Sequence, residues 1–265
     1  MKNRISKLVA VVMLFAMLFC LTSCSKKDDL LKTVQDRGYV VIATEGDWAP
    51  WTYHDEDGTL TGYDVEVGKA LAEKLGVEAR FEETTWDSIL AGVDSGRFDI
   101  ACNGVTYTEE RAKTYNFCDP YLYTQTVLMV RGDNTDIKSF ENLEGKVTAN
   151  SVGSIYADVA AEYGAEVKNV DTLGETLELL LQGRIDATVN AKVSYEDYMA
   201  EHPDADIVVV DKAESEISVF PVRKAKETEA FVEAVNKALE ELRADGTLAQ
   251  LSIRFFGADL TNDED

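Results

Sequence analysis

The chain has 265 residues, of which 45% are hydrophobic, and it carries 26 basic against 49 acidic residues for a net charge of −23. This length and apolar content suffice for one large domain or two smaller ones, and they exclude a fibrous or disordered protein. A surface this acidic repels nucleic acid and anionic lipid, so neither is expected as a partner.

The first segment has the features of a signal peptide. Three basic residues precede an unbroken apolar run, LVAVVMLFAMLFCL, which is shorter than the roughly 20 residues that span a bilayer. The run ends in LTSC, which resembles the lipobox of bacterial lipoproteins; a plain signal anchor with an incidental cysteine is the alternative. The resemblance implies cleavage after residues 1–23, a lipid on the sulfur of Cys24, and a tether over residues 24–37. Cleavage leaves 23 basic and 49 acidic residues, a net charge of −26.

From Tyr39 onward, the apolar residues alternate between the periods of short strands and amphipathic helices. Strands are predicted at YVVIATE, VEARFEE and FDIACNG, with helices at DVEVGKALAEKLG and WDSILAGVDSG between them. Asp57-Gly58 lies at the turn of a hairpin region, Asp64 is placed to cap the first helix, and Gly76 to end it. This order predicts a largely parallel, doubly wound α/β sheet.

The same pattern begins again at KVTANS and continues through three helices and three further strands as far as DIVVV. The extended run QTVLMVRGD leads into this second unit, and EISVFPVRK leads out of it. The helical tail is expected to pack on the first unit. The sequence therefore predicts lobe 1 at residues 38–128 plus 221–260 and lobe 2 at residues 129–220. Two hinge crossovers join them, and ligands bind preferentially in a cleft of this kind.

Several kinds of catalytic and metal chemistry lack their motifs. The sequence has no nucleotide-binding glycine motif, no HExxH and no C-x-x-C, and its two histidines, His54 and His202, lie in polar loop-like segments. DEDG at 55–58 places glycine fourth, whereas an EF-hand calcium loop needs it sixth. No metal, cofactor or catalytic residue is therefore predicted. Cys102 and Cys118 remain after processing, and a disulfide between them or two buried thiols are both compatible with the sequence.

Five motifs, in order along the chain, together indicate a family. They are GYDVEVGKALAEKLG, WDSILAGVDSGRFDIACNGVTYTEERAKTYNFCDPY, LEGKVTANSVGS, GRIDATVN and LRADGTLAQLSIRFFG. This series, over residues 38–257, resembles the bacterial amino-acid-binding proteins of ABC importers, solute-binding family 3. The resemblance implies a two-lobed periplasmic-binding-protein-like fold of type II that hands one amino acid to permease subunits. The second-lobe stretches GKVTANSVGSIYADVAAEYGAEV and DATVNAKVSYEDYM look most like the cystine-binding branch.

The resemblance assigns ligand-binding roles to individual residues. The arginine of the T-x-E-R motif, Arg111, offers a fork to the ligand carboxylate, which accepts two parallel charge-assisted hydrogen bonds. Thr106 is a second donor to that carboxylate, and the carbonyl of Gly104 meets the ammonium. Second-lobe donors and enclosing aromatic rings complete the set: Gly153, Ser154, Trp48 and Trp86. Without the motif, these residues would be interpreted as a surface charge, helix caps, a turn and packing aromatics.

One position departs from the family pattern. Members carry an aspartate in patterns like DATxND that pairs with the ligand ammonium, whereas here Ala191 follows Asn190. A buried ammonium without a partner is costly. We therefore expect Glu45, with the carbonyl of Gly104 and with Asn190, to hold the amine. A ligand without a free α-amine, or weak binding, is the open alternative.

The leading functional prediction is non-enzymatic capture of a polar amino acid, with cystine as the first candidate, by a monomer held at the outer face of the cell membrane or in the periplasm. The lobes close on the ligand, and the closed form delivers it to an ABC permease. The alternatives are a cleft enzyme, such as a cyclohexadienyl-acid dehydratase with Glu45 as acid or base, and a sensor that acts through a partner.

Overall fold

The computed structural model describes residues 29–263, so the predicted signal peptide and Cys24 lie outside the described residues. The folded body begins with helix α1 (Leu30–Arg37), which starts at Asp29 and ends at Gly38 in the left-handed region. Val34 on this helix is fully buried. The predicted tether, 24–37, is therefore too long, because the chain packs on the body from residue 30.

Three strands form a parallel sheet in the first lobe: β1 (Tyr39–Thr44), β5 (Glu78–Glu83) and β6 (Ile100–Ala101). β1 lies in the centre, and four of its six residues are buried. Between β1 and β5, the chain forms an antiparallel meander and one helix: β2 (Asp47–Trp48), β3 (Thr52–His54), β4 (Leu60–Thr61) and α2 (Tyr63–Leu75). Helix α3 (Trp86–Ser95) connects β5 to β6. The predicted hairpin turn at Asp57-Gly58 and the helix end at Gly76 are confirmed.

Both ends of the chain contribute to the first lobe. Helices α8 (Glu229–Ala244) and α9 (Thr247–Phe256) pack on α2, and α1 packs on α8. The predicted helical tail is thus confirmed. It has one break at Gly246, whose φ of 81° is unfavourable for a residue with a side chain. A second antiparallel pair joins β7 (Tyr115–Phe117) to β13 (Pro221–Arg223). A short 3₁₀ turn precedes α8 at Lys226–Thr228, and another lies in the second lobe at Phe140–Leu143.

The second lobe is built around a long central strand, β8 (Leu122–Arg131). It pairs antiparallel with β11 (Ala187–Ala191) on one side and with β12 (Ile207–Ser218) on the other. A parallel pair lies beside β11: β9 (Val147–Asn150) and β10 (Glu166–Asn169). The helices of this lobe are α5 (Ile155–Glu162), α6 (Leu173–Leu181) and α7 (Lys192–Glu201).

β8 and β12 are also the two crossovers between the lobes. They stay paired from Leu122 opposite Ser218 to Arg131 opposite Ile207, with register shifts between Val209 and Asp211 and between Lys212 and Ser215. An isolated bridge joins Thr106 of the first lobe to Ser218. The architecture is the two-lobed α/β fold that the sequence predicts; the lobe boundaries at 128/129 and 220/221 stay predictions.

Asp64 does not cap α2, contrary to the prediction. The helix begins at Tyr63 after Gly62, and Asp64 is fully buried within its first turn. One carboxylate oxygen accepts a hydrogen bond from the Gly104 amide at 2.5 Å, and both oxygens accept from the Tyr121 hydroxyl at 2.8 and 3.0 Å. Burial raises the pKa of Asp64 to about 7, although the hydrogen bonds from Gly104 and Tyr121 lower it. Asp64 therefore anchors the loop that carries Gly104.

Cys102 and Cys118 are free, buried thiols, which settles the alternative that the sequence leaves open. Burial raises the pKa of both thiols. Within residues 29–263, no helix combines the length and the apolar composition needed to cross a bilayer.

Candidate ligand-binding site

A cavity of about 580 Å³, partly open to solvent, lies between the two lobes. Its walls include eight of the nine residues predicted to bind ligand: Glu45, Trp48, Trp86, Gly104, Thr106, Arg111, Ser154 and Asn190. The ninth, Gly153, does not line the cavity, but its carbonyl accepts a hydrogen bond from Arg111. The structure therefore brings the predicted residues of both lobes together at one place.

Trp48 forms an aromatic wall on the side of the first lobe. Its ring stacks on that of Trp51, with centroids 5.1 Å apart and planes 16° from parallel. Gly104 lies against the stack with φ 55°, and a Cβ there would come within 2.7 Å of the Trp48 ring. The indole nitrogen of Trp48 is buried and has no hydrogen-bond partner in the described part of the chain. The close stack depends on glycine at position 104.

Arg111 is the first residue of the short helix α4 (Arg111–Thr114), and its amide donates to the Thr108 hydroxyl. Nη1 of its guanidinium donates to the Thr106 carbonyl at 2.9 Å, and Nη2 donates to the Gly153 carbonyl at 3.1 Å. The group also lies 5.4 Å from the centroid of the Trp86 ring. Burial lowers the pKa of Arg111, but a guanidinium stays charged in proteins. Its remaining N–H groups can bind a carboxylate in the cavity.

Glu45 follows β1 and is held by Asn103. The Asn103 side-chain nitrogen donates to its carboxylate at 2.6 Å, and the Glu45 amide donates to the Asn103 side-chain oxygen at 2.8 Å. Burial raises the pKa of Glu45 to about 7; the Asn103 hydrogen bond opposes this shift, and the charge of Asp47 adds to it. The carboxyl is thus placed to pair with a cation or to exchange a proton near neutral pH.

Ser154 and Asn190 form the wall of the second lobe. The Ser154 hydroxyl accepts from the Ala157 amide at 3.2 Å, so this residue both caps α5 and lines the cavity. The side-chain oxygen of Asn190 accepts from the Ala191 amide at 2.9 Å. Ala191 itself is fully buried at the end of β11 and contributes no charge to the cavity.

Glu216, on the crossover strand β12, is an acidic residue that sequence reasoning missed. It is 6% exposed, and its carboxylate accepts from the Thr106 hydroxyl at 3.0 Å and from the Thr126 hydroxyl. The Tyr156 hydroxyl is a further hydrogen-bond partner. Burial raises the pKa of Glu216 to about 7, although Thr106, Tyr156 and the charge of Arg111 lower it. The available signal was a lone glutamate at the start of the apolar run EISVF.

Several other lining residues were not predicted to bind: Asp47, Asn150, Ser151, Ile155, Tyr156, Asp171, Thr172, Leu173 and Thr176. Asn150 ends β9, and Asp171 and Thr172 follow β10, so their position could have been inferred from the rule that ligands bind at the carboxyl ends of strands. Among the residues that line the cavity, three are acidic and one is basic: Glu45, Asp47, Asp171 and Arg111.

Direct contacts hold the two lobes together around the cavity. The Trp51 indole nitrogen donates to the Ser194 hydroxyl at 3.2 Å, and the rings of Trp48 and Tyr156 meet edge to face with centroids 6.5 Å apart. Together with the hydrogen bond from Arg111 to the Gly153 carbonyl, these contacts join the two lobes directly around the cavity.

Comparison with known proteins agrees with this geometry. Residues 40–258 match the family model of bacterial extracellular solute-binding proteins, family 3. The chain is 38% identical over 239 residues to the L-cystine-binding protein TcyA of Bacillus subtilis, covering 89% of this chain and 88% of TcyA.

Two solved structures bear on the arrangement of the lobes. An ancestral arginine-binding protein bound to arginine is 35% identical, with a TM-score of 0.78 over 83% of this chain and 99% of that one. The L-cystine solute receptor of Neisseria gonorrhoeae, in its unliganded open conformation, is 40% identical, with a TM-score of 0.60 over 88% and 99%. The TM-score is thus higher for the arginine-bound protein than for the open one, although its sequence identity is lower.

Proposed function

Because the chain belongs to family 3 of the bacterial extracellular solute-binding proteins, we propose that it is the extracytoplasmic amino-acid-binding component of an ABC importer. It captures one free amino acid between its lobes and, as a monomer, presents the closed form to the permease. A signal peptide directs export, and a lipid on Cys24 holds the protein at the outer face of the cell membrane. The observation that carries the proposal is the Arg111 guanidinium, aimed into an interlobe cavity that both lobes line.

The carboxylate of the ligand binds at Arg111. Two N–H groups of the guanidinium are used by backbone carbonyls, which fix its plane and leave the others for the ligand. Ser154, which caps α5, and Ile155, its first residue, line the same cavity, and a helix start supplies amide donors and a favourable dipole for an anion. Since these amides lie on the second lobe, they strengthen carboxylate binding only when the lobes are closed.

L-cystine is the ligand that we propose first. The relationship to TcyA supports it. The surplus of acidic residues over Arg111 in the cavity matches the two ammonium groups of cystine and not its second carboxylate. Cystine carries two ammonium groups, and the second of these requires negative charge beyond the first binding position. Asp47 and Asp171, one on each lobe, provide it. L-arginine, whose side chain is a cation, fits the same surplus of acids and is the second candidate.

Thermal unfolding of the signal-free protein with each of the twenty amino acids and L-cystine tests the proposal. A true ligand at 100 times its Kd adds about 2.7 kcal/mol to the free energy of unfolding. Arg111→Lys should remove most of this gain, because a lysine cannot form the two parallel bonds. Arg184→Lys, on an exposed arginine that does not line the cavity, is the matched control and should keep it. No stabilisation by any of the compounds would contradict an amino-acid-binding function.

A cleft enzyme is the second candidate function, and the observation in its favour is the Glu45 carboxyl with a pKa of about 7. A group that titrates near neutrality can serve as general acid or base. Incubation with prephenate discriminates the two functions. If the wild type forms product and Glu45→Gln does not, catalysis replaces capture as the preferred function. If the substrate stays unchanged, the result supports capture.

A further inference from the structure

The number of hydrogens at Thr106 determines what this residue can offer a ligand. A threonine hydroxyl has one hydrogen to donate and two lone pairs to accept with, and an ionised carboxylate only accepts. Because the Thr106 hydroxyl donates to Glu216 at 3.0 Å, its lone pairs are what remains for the cavity that it lines. Toward a ligand it is therefore an acceptor, which suits an ammonium. This differs from the predicted role of Thr106 as a donor to the carboxylate.

Tyr156 connects Glu216 to the position of the missing aspartate. Its hydroxyl is a hydrogen-bond partner of the Glu216 carboxylate and lies close to the backbone amide of Ala191, which donates to the Asn190 side-chain oxygen. The carboxylate of Glu216 therefore lies one tyrosine hydroxyl away from residue 191, where members of the family carry the acid that pairs with the ligand amine. The small side chain of Ala191 is fully buried and carries no charge.

The buried charges of Arg111 and Glu216 stay balanced when a ligand with both end groups binds, whereas a ligand with a carboxylate alone adds an excess negative charge. Arg111 is the charged side chain that acts on Glu216, and the hydroxyls of Thr106, Thr126 and Tyr156 donate to the carboxylate. When the ligand carboxylate pairs with Arg111, Glu216 loses that compensation. An ammonium beside Thr106 restores it, giving two positive and two negative groups in one water-poor space. Glu45 is held by Asn103 elsewhere in the cavity wall and has no hydrogen bond to this cluster in residues 29–263.

We propose that Glu216 supplies the negative charge for the α-ammonium of the ligand, acting through the hydroxyl of Thr106, in place of the aspartate that Ala191 replaces. Glu216 is thus a positioning residue: it does not line the cavity, and it orients the hydroxyl that does. This inference rests on the proposed amino-acid-binding function and names the carboxylate whose charge stabilises the ligand ammonium.

Paired ligands with and without α-amines measure this contribution; the arginine pair differs by one amine and the cystine pair by two. The probes are L-cystine with 3,3′-dithiodipropionate, and L-arginine with 5-guanidinopentanoate, titrated calorimetrically into the signal-free protein. Removal of a charge-assisted hydrogen bond changes affinity by roughly 10- to 100-fold. We expect the wild type to prefer the amino acid over its deaminated partner, and Glu216→Gln to reduce that preference by about this factor while binding of the deaminated compound changes little.

Three further variants make the test specific. Thr106→Val keeps Glu216 and removes only the relaying hydroxyl, so it should show the same loss of preference even if Glu216→Gln folds poorly. Glu233→Gln, an exposed glutamate on α8, is the matched control and should keep the wild-type preference. If the preference survives in Glu216→Gln and Thr106→Val, or disappears only in Glu45→Gln, the inference is wrong while the proposed function stands. If the wild type binds none of the four probes, the proposed ligands fail, and the inference fails with them.

Discussion

Substitution of Gly104 by alanine should lower the free energy of unfolding by more than its backbone angle alone explains. The residue has φ 55°, in the left-handed region, where a residue with a Cβ loses roughly 1–2 kcal/mol. The new Cβ would also lie 2.7 Å from one carbon of the Trp48 ring and 3.1 Å from Trp51. Overpacking of this kind costs roughly 1–3 kcal/mol. The two effects together predict a loss of about 2–5 kcal/mol.

Gly58→Ala separates the two contributions. Gly58 lies in the distal hairpin turn with φ 75°, and a Cβ there meets no atom within 4 Å. This variant should therefore lose only the backbone contribution of roughly 1–2 kcal/mol. Urea unfolding of both variants and the wild type, with equal m values, measures the difference. Gly104→Ala should also bind the ligand more weakly, because Trp48 must move away from its stack on Trp51.

Equal losses of stability in Gly104→Ala and Gly58→Ala would refute this reasoning. Such a result would mean that the Trp48 ring has room to yield without cost, so that the aromatic wall of the cavity does not depend on the loop at Gly104. A larger loss with unchanged ligand affinity would separate the packing of Trp48 from its role in binding.

Three further outcomes are expected. Between the ordinary Asp64 pKa of 3.8 and its folded value of about 7, the folded state binds one more proton than the unfolded state. The free energy of unfolding should therefore fall with rising pH by about 1.4 kcal/mol per pH unit from Asp64 alone. Urea unfolding of Asp64→Asn from pH 4 to 8 should show a smaller slope, and an unaltered slope would contradict this prediction. Trp51→Phe removes a hydrogen bond between the lobes worth about 1 kcal/mol, so solution scattering of the unliganded protein should show a larger open population, as it should for Ser194→Ala. Cys102 and Cys118 should resist a thiol reagent in native buffer and react in denaturant; rapid reaction of the native protein would show that they are accessible.

The elements of the fold were predictable because their signals are local. Apolar periodicity, the Asp57-Gly58 turn and the left-handed glycine after α2 each depend on neighbouring residues, and each is found in the structure. Asp64 shows the limit of local reasoning. An aspartate before an apolar helix is a good cap by pattern, but the partner that it takes instead, the Gly104 amide, is 40 residues away in the sequence.

The site was predictable to the extent that motifs carried it. Arg111, Trp86 and the loop at Ser154 lie in segments with a recognisable pattern, and the structure places them around one cavity. Glu216 has no such pattern, because its partners come from the first lobe, from β8 and from α5. Thr106 of the first lobe and Tyr156 of the second reach the same carboxylate only because the crossover strand that carries Glu216 lies between the two lobes.

The order of the elements along the chain also bears on the order in which they are made. All strands from β8 to β12 are contiguous, so the second lobe is complete in sequence before α8 emerges. The first lobe must wait, because α1 and α2 pack on α8 and α9, which follow the second lobe in the sequence. Phe231 and Leu248 on these two helices are fully buried in the folded protein. Until they are made, the apolar surface of the first lobe that packs against them stays uncovered. In a chain that is synthesised from its N-terminus, the lobe that is begun first is therefore the lobe that is finished last.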